Sequence, residues 1–396
     1  MSSFISKRVQ SLPPYLFSII DEKKKLLQKK GVDVIDLGIG APDLPTPPFI
    51  VNRLIRELEN PGNFKYSSYS GCKEYREAVA SFYKKQYNVD LDPDTEVLTL
   101  IGSKEGIAHV IPALIDPGDT VLIPDPGYPV YRTATDLAGG SCADLPLDHE
   151  DYRPMFTHIS DSIREKAKLM FLNYPSNPTA ATIELDIFES AIAFAKKHKI
   201  AIIHDSAYGL VTFDSYKAPS ILQVNGAKEI AVEFGSLSKS FNMTGWRIGY
   251  VAGNREIIQA LSKVKSNTDT CQFLPIQYAA AEALNSDLSS VDENNHIYKQ
   301  RLEKMINALR NIGIAVKKPR GTFFIWAAVP SGLTSQQFTE KLLEEAGVIV
   351  TPGNAFGPSG EGYFRISLSV ATDRLDEAVK RMMTLDLEVM NHDSNH

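Results

Sequence analysis

Cysteine is scarce in this chain, and the three present, Cys72, Cys142 and Cys271, are scattered, odd in number and without a C-x-x-C pair. That argues against a disulfide framework and a zinc site, and predicts three free thiols. An excess of basic charge is lacking too: 42 Lys and Arg stand against 48 Asp and Glu, for a formal net charge of -6. With no basic stripe and no aromatics interleaved with basic runs, nucleic acid is not an expected partner. Any bound anion has to be held by local geometry. Long apolar runs are absent, since stretches such as residues 169–172 and 200–203 have only strand length, far below a membrane span. The N-terminus, Met-Ser-Ser-Phe-Ile-Ser-Lys-Arg, has neither the apolar core nor the cleavage site of a signal peptide. The expectation is a cytoplasmic protein with no membrane partner.

What is present is a rhythm of strands and helices. At 396 residues the chain exceeds one average core, which predicts two domains. From residue 96, short apolar runs over 96–100, 120–123, 168–173, 200–204, 230–234 and 248–252 alternate with amphipathic stretches after Ser103 and Pro129, over 187–197 and over 255–264. This pattern predicts an α/β domain with a mostly parallel sheet. The polar stretch 285–296 is expected to lead into a long amphipathic helix and a smaller α+β domain. That domain has strands over 322–328 and 363–370, a helix opened by the capping-box spacing Thr334-x-x-Gln337, and a helix from Arg374. The expected division is an N-terminal arm and helix over 1–46 that joins the small domain, a large domain over 47–290 and a small one over 291–396. The first fifteen residues read as irregular, followed by a helix through Leu16, Ile20, Lys23 and Leu27 that Gly31 closes.

Residues 235–250, Gly-Ser-Leu-Ser-Lys-Ser-Phe-Asn-Met-Thr-Gly-Trp-Arg-Ile-Gly-Tyr, place Lys239 behind Ser236 and Ser238 and ahead of Arg247 in a setting of apolar and small residues. A lysine buried without a partner sheds its proton and becomes a nucleophile for an aldehyde. The serines and the arginine suit a phosphate on the same ligand. Together they describe pyridoxal 5'-phosphate, against the plainer reading of a surface lysine in a strand-to-loop segment.

Ligands of open α/β sheets collect at the carboxyl ends of the strands, and the residues there are consistent with that cofactor. Asp205 follows one apolar run and can hold a pyridine nitrogen protonated, and Tyr208 can donate to a phenolate oxygen; a helix cap and a packing tyrosine are the alternatives. Asn177, in Tyr-Pro-Ser-Asn-Pro-Thr, can donate to the same oxygen with a proline close on either side, although Asn-Pro is also a common turn pair. Gly102-Ser103-Lys104 opens a helix whose backbone N–H groups suit a phosphate. Tyr128 lies at a loop tip and suits stacking on the ring. Gly38-Ile39-Gly40-Ala41-Pro42-Asp43 lacks the third glycine of a dinucleotide fingerprint. Arg365, mid-strand among apolar residues, reads as a bidentate grip on a substrate carboxylate or else as a structural ion pair.

In order and spacing, Asn177, Asp205, Tyr208, Ser236, Lys239, Arg247 and Arg365 resemble the class I/II aminotransferases of PLP fold type I, over essentially the whole chain. The resemblance implies a seven-stranded, mostly parallel sheet with flanking helices and a smaller domain. It makes Lys239 the Schiff-base lysine, Asp205 the pyridine partner, and Tyr208 and Asn177 the holders of the phenolate oxygen. Ser236, Ser238 and Arg247 bind phosphate with the Ser103 and Lys104 backbone, Tyr128 stacks, and Gly40 with Arg365 forms the carboxylate site. The stretch 65–71 is similar to the one that lends a tyrosine, here Tyr66, to the neighbouring subunit, which implies a homodimer with shared sites. Ala180 departs from the glycine often found after Asn-Pro-Thr and puts the nearby turn in question. The opening residues are similar to those of LL-diaminopimelate, alanine and methionine-salvage aminotransferases, and place Tyr15 in the substrate pocket.

Dicarboxylate-specific members carry an arginine in the stretch that matches 265–277, where this chain has none. The expected substrate is therefore a neutral, hydrophobic or sulfur-containing amino acid enclosed by Phe273, Leu274 and Tyr15, with LL-diaminopimelate as the alternative and a 2-oxo acid as second partner. Two rivals stand beside this reading. One is a PLP-dependent β-lyase on the same fold. The other is an aminotransferase-like regulator domain, which would carry a winged helix-turn-helix ahead of a match that here begins near residue 10.

Overall fold

The computed structural model describes residues 4–12 and 16–385. In chain order the strands are β1 (Ile35–Asp36), β2 (Val97–Leu100), β3 (Thr120–Asp125), β4 (Ser141–Pro146), β5 (Ala167–Asn173), β6 (Ala201–Asp205), β7 (Ala231–Ser236), β8 (Gly249–Gly253), β9 (Phe324–Ala328), β10 (Val348–Ile349), β11 (Thr351–Pro352) and β12 (Tyr363–Ser367). Seven of them, β2 to β8, form one sheet in the order β2-β8-β7-β6-β5-β3-β4. Only β8 runs against its neighbours. Apolar side chains alternate to both faces of the central strands because helices cover both. Met170, Leu172 and Ile202 join one buried cluster, and Leu169, Phe171 and Ile203 the other.

The topology sets where a ligand can sit. From β3 the chain steps outward to β4 and then returns to the other side of β3 with β5, so the order reverses between β3 and β5. A crevice opens at the carboxyl ends of strands at such a switch point. The single antiparallel strand adds to this edge, because Gly249 at the start of β8 pairs with Ser236 at the end of β7 and Leu100 at the end of β2. Arg247 is thereby delivered to the same edge.

A third buried cluster joins Ile35 and Leu37 to residues from Tyr298 to Met382. β11, β12 and β9 form an antiparallel sheet there, and β1 pairs in parallel with β10. Some boundaries differ from the sequence expectation. A helix begins at Ser289, inside the polar stretch 285–296, whose charged side chains lie on its solvent face. A short helix, Lys7–Ser11, occupies part of the segment expected to be irregular, capped by Ser6. The strand expected over 363–370 ends at Ser367. Helices Pro48–Leu58 and Lys73–Tyr87 and the edge strand β4 have no counterpart in the expectation.

Residues 38–46 connect the two cores. Arg301, 3% exposed, grips Asp43 through both Nη atoms at 2.7 and 2.9 Å and donates to the Leu368 carbonyl. Asn242 donates to the Pro45 carbonyl and accepts at its own carbonyl from Thr46. Replacing Arg301 with Met is expected to destabilise the protein by about 3 kcal/mol, the low end for a broken buried pair, because Asp43 keeps a fifth of its side chain in solvent. Urea unfolding measures this, and a loss under 1 kcal/mol would contradict it.

Candidate active site

A cavity of about 400 Å³ opens at this edge and is lined by Ile39, Gly40, Ala41, Ser103, Lys104, Ile107, Tyr128, Asn173, Asn177, Asp205, Ala207, Tyr208, Ser236, Ser238, Lys239, Thr244, Arg247, Phe324 and Arg365. Twelve of the fourteen site residues read from the sequence are among them. Tyr66 is not: it is 89% exposed on the surface of the chain. Tyr15 lies outside the described residues. Phe273 and Leu274, expected around the substrate side chain, do not line this chain's cavity, and Phe273 stacks instead on Phe64 at 6.3 Å. A larger cavity of about 630 Å³ lies between residues 149–153 and 179–182 on one side and 315–320 on the other. Lys317 and Lys318 on its wall are bound to Asp151 and Asp214, and Arg320 to Glu184. Its size therefore does not make it the reactive site.

Lys239 sits in the four-residue helix Leu237–Ser240, entered through Ser236, whose hydroxyl accepts from the Ser238 N–H. Its Nζ donates to the Gly40 carbonyl at 2.6 Å. Burial pushes the amine down to about 8, with Arg365 and Arg247 adding repulsion and Asp205 opposing it. Gly40 has to be glycine for steric reasons, because a Cβ there would lie 2.6 Å from the Phe324 ring.

Asp205 ends β6. One carboxylate oxygen accepts from the Tyr131 hydroxyl at 2.8 Å and the other from the Ala207 N–H at 3.2 Å. Burial still raises its carboxyl above the ordinary range, despite the lowering by these hydrogen bonds and by nearby His204 and Lys239. A carboxylate so placed is short of a cation. Tyr131 is held by stacking on Phe171 at 4.6 Å.

Arg365 lies between the rings of Phe324 and Phe356, 4.2 and 4.8 Å from their centroids. It donates to Asn177 Oδ1 and to the Gly38 carbonyl, each at 2.6 Å. Because the guanidinium takes the oxygen of the Asn177 amide, the NH2 end is the one left for an acceptor in the cavity. Asn173 completes the frame by accepting from the Asn177 N–H and donating to the Asp205 carbonyl, both at 2.8 Å. Tyr208 packs edge-on to Phe323 and Phe324.

At the other end, helix Ser103–Leu114 begins at Gly102 with no side chain capping its N–H groups, and so presents a positive end to an anion. Gly102 has φ +81°, and a Cβ there would lie 2.3 Å from Arg247 Nη2. Among the described residues, Glu105, His109 and Asp269 cluster closely enough to suggest a metal site. The Lys265 ammonium already takes the cation's place, 2.8 Å from Asp269 and 3.4 Å from Glu105.

An aldehyde-bearing, phosphorylated pyridine fits these donors. The uncapped helix end with Ser236, Ser238 and Arg247 offers the anion site, Lys239 an amine of lowered proton affinity, and Asp205 a carboxylate lacking a cation. Sequence reading did not find Tyr131, Asn173 or Phe324. The Tyr128-x-x-Tyr131 spacing was a usable signal for the first, and an asparagine closing an apolar strand for the second.

Fold and site together define a PLP-dependent aminotransferase. Residues 32–382 match the family model described as aminotransferase class I and II, and the chain belongs to that family. It is 49% identical over 383 residues to the LL-diaminopimelate aminotransferase of Aquifex aeolicus, covering 96% of this chain and 99% of that one. With the enzyme of the same name from Moorella thermoacetica it shares 46% over 378 residues, 95% and 97% of the two chains. Its fold is similar to that of substrate-bound BacF from Bacillus subtilis, with TM-score 0.93, 39% identity and 98% of each chain covered. No helix among the described residues is long and apolar enough to cross a membrane.

The lowered Lys239 amine has a consequence for stability. Its folded value of about 8 lies below the ordinary lysine value of 10.5, so the unfolded chain holds more protons between these limits and stability rises with pH across them. Cofactor-free Lys239→Met is expected to exceed the cofactor-free parent by ~3 kcal/mol at pH 7, with the gap closing between pH 8 and 10.5. Urea titrations at pH 7, 8.5 and 10 measure it, and a gap independent of pH would contradict the buried-amine account.

Proposed function

We propose that this chain transfers the amino group of LL-diaminopimelate to a 2-oxo acid, with the residues of the 400 Å³ cavity in the roles that follow. The observation that carries the substrate is that relatives 46% to 49% identical over about 96% of the chain bear that name. The cavity is consistent with it. Arg365 suits the α-carboxylate, and 265–277 supplies no second arginine for a side-chain acid. The distal end of diaminopimelate carries its own ammonium beside its carboxylate and needs no such neutralisation. The neutral or sulfur-containing side chain expected from sequence fits the relatives less well, and Phe273 and Leu274 are not in this chain's cavity to enclose it.

When bound, pyridoxal phosphate supplies an aldehyde that condenses with amines and a ring that takes up the electron pair left as the substrate loses its Cα proton. Lys239 Nζ would hold the aldehyde carbon and, when free, would take up the substrate's Cα proton, its proton affinity lowered toward neutral pH by burial as general-base work requires. Asp205 accepts the N–H of the ring nitrogen, and Tyr131 holds its carboxylate in line. Tyr208 and the Asn177 NH2 group donate to the phenolate oxygen. Ser236, Ser238, Arg247 and the first N–H groups of helix Ser103–Leu114 hold the phosphate, and Tyr128 stacks on the ring. Arg365 aligns the substrate carboxylate beside Gly40. We also propose a homodimer in which Tyr66 reaches the second copy's phosphate; its 89% exposure and the half-exposed Tyr69 nearby support a covered face.

Arg365→Lys is expected to raise the amino-acid KM about tenfold or more while cofactor affinity stays within about twofold, since a point charge cannot replace the planar fork. Titration of the visible cofactor band separates the two, and loss of cofactor with an unchanged KM would place Arg365 elsewhere. In a panel of LL-diaminopimelate, methionine, phenylalanine and aspartate with 2-oxoglutarate, LL-diaminopimelate should give the highest kcat/KM. Methionine or phenylalanine in first place would restore the neutral-substrate reading.

A further inference from the structure

Tyr128 and Arg365 face one cavity from two different cores, and the segments that carry them are joined by residues that do not line it. Asp125 closes β3 and opens the loop to Tyr128, while turn 353–360 joins β11 to β12, the strand of Arg365. The Ser359 hydroxyl donates to Asp125 Oδ2 at 2.8 Å, and the Ser359 N–H lies 3.2 Å from the same oxygen and 3.4 Å from Oδ1. Beside this contact the buried Gly127 N–H donates to the Phe356 carbonyl at 2.8 Å. Asp125 is 6% exposed. A carboxyl group withdrawn from water is costly unless hydrogen bonds replace its hydration, and among the described residues those to the Asp125 side chain all come from Ser359, across the boundary between the cores. Gly357 keeps the approach close, since a Cβ there would lie 2.0 Å from Asp125 Oδ1.

What the contact does follows from how Arg365 is held. Its edge is fixed by Asn177 and the Gly38 carbonyl, and its two faces by the rings of Phe324 and Phe356. Phe324 lies on β9, paired with β12, and so moves with Arg365. Phe356 lies on the turn. The turn is braced as a unit, because Asn354 donates to Glu361 at 2.9 Å, Glu361 accepts from the Ser335 N–H at 2.7 Å, and the Gly360 N–H donates to the Gly357 carbonyl at 3.0 Å. A displacement of Ser359 is therefore passed on to Phe356. We propose that Asp125 and Ser359 form a clasp between the cores, and that both are positioning residues: through them Phe356 is set against the Arg365 guanidinium while the loop of Tyr128 is held in the same register. This rests on Arg365 being the carboxylate grip and Tyr128 the stacking ring, as proposed above.

The test compares holoenzymes of Asp125→Ala, Ser359→Ala, the double variant and Asp125→Asn, whose amide oxygen still accepts from Ser359, each checked for folding by urea unfolding. With the amino acid of highest kcat/KM, Asp125→Ala should raise KM about fivefold or more and leave kcat within about twofold. Its visible circular dichroism per bound cofactor should also change, because the Tyr128 loop is released. Asp125→Asn should restore both. Ser359→Ala, at an exposed position, should raise KM in the same direction, and the double variant should match Asp125→Ala within about twofold. A KM near the parent's in Asp125→Ala would overturn the clasp, as would effects of the two single variants that multiply in the double. An unchanged dichroism would sink the coupling to Tyr128. Should Asp125→Ala not fold, Ser359→Ala decides alone, and an unaltered KM there counts against the clasp. Arg365→Lys measured alongside separates two failures: if it raises KM and Asp125→Ala does not, the clasp alone falls, and if neither does, the carboxylate site itself is misassigned.

Discussion

The site depends on a lysine buried without a carboxylate bonded to it. An ammonium in such a place is costly, and that cost is the source of its reactivity, because removing the proton relieves it. Lys239 Nζ donates to a carbonyl oxygen, that of Gly40, which accepts a hydrogen bond from either protonation state and neutralises nothing. Arg247 and Arg365 add repulsion. Had Asp205 been bonded to the lysine, the amine would have stayed charged and inert. The fold separates the two by giving Asp205 its own donors, Tyr131 and the Ala207 N–H.

That separation follows from topology. Asp205 closes β6, while Lys239 follows β7 in a turn of helix, so the two emerge from adjacent parallel strands at one edge. Residues 38–46 then close over the lysine, fastened by Arg365, Ser369 and Arg301 from one core and by Asn242 from the other. Arg365 and Lys239 are therefore tied to one short segment, Gly38 bound to Arg365 and Gly40 to Lys239, which couples the proposed carboxylate grip to the lysine's environment.

The parts of this arrangement legible in the sequence were those in which a polar residue interrupts an apolar run. Asp205 ends a strand and Arg365 stands in the middle of one, while Lys239 and Asn177 follow strand ends within a few residues, and each is a polar group beside an apolar run. The strands buried on both faces were equally visible, since residues 169–172 and 200–203 have no polar alternation to confuse. β4, Ser-Cys-Ala-Asp-Leu-Pro, was not, because an edge strand half open to solvent needs no apolar run. Helix Lys73–Tyr87 hid for a similar reason: its buried face is built mainly from Tyr75, Arg76, Phe82 and Tyr83, with only Ala78 and Val79 as aliphatics. Ala180 shows a departure whose consequence only the backbone reveals. It adopts φ +55°, a conformation glycine takes freely, and its buried methyl offsets part of the roughly 1–2 kcal/mol that the left-handed region costs other residues.

Charge within the cavity bears on the substrate once the proposed roles are granted. With Lys239 neutral for reaction, the chain's own charges there are Lys104, Arg247 and Arg365 against Asp205. The phosphate brings about two negative charges, the α-carboxylate one and the protonated ring nitrogen one positive. These sum to zero. A substrate with a lone distal carboxylate would leave one negative charge in a largely desolvated space, which is unfavourable without a second arginine. A distal end carrying carboxylate and ammonium together leaves the balance at zero, as a neutral side chain does. The two neutral classes then differ in what encloses them: an apolar side chain needs an apolar wall, whereas a zwitterionic end needs polar partners. Under the proposed roles charge balance disfavours the simple dicarboxylates and treats the zwitterionic and apolar ends alike, so the choice between those two rests on the relatives.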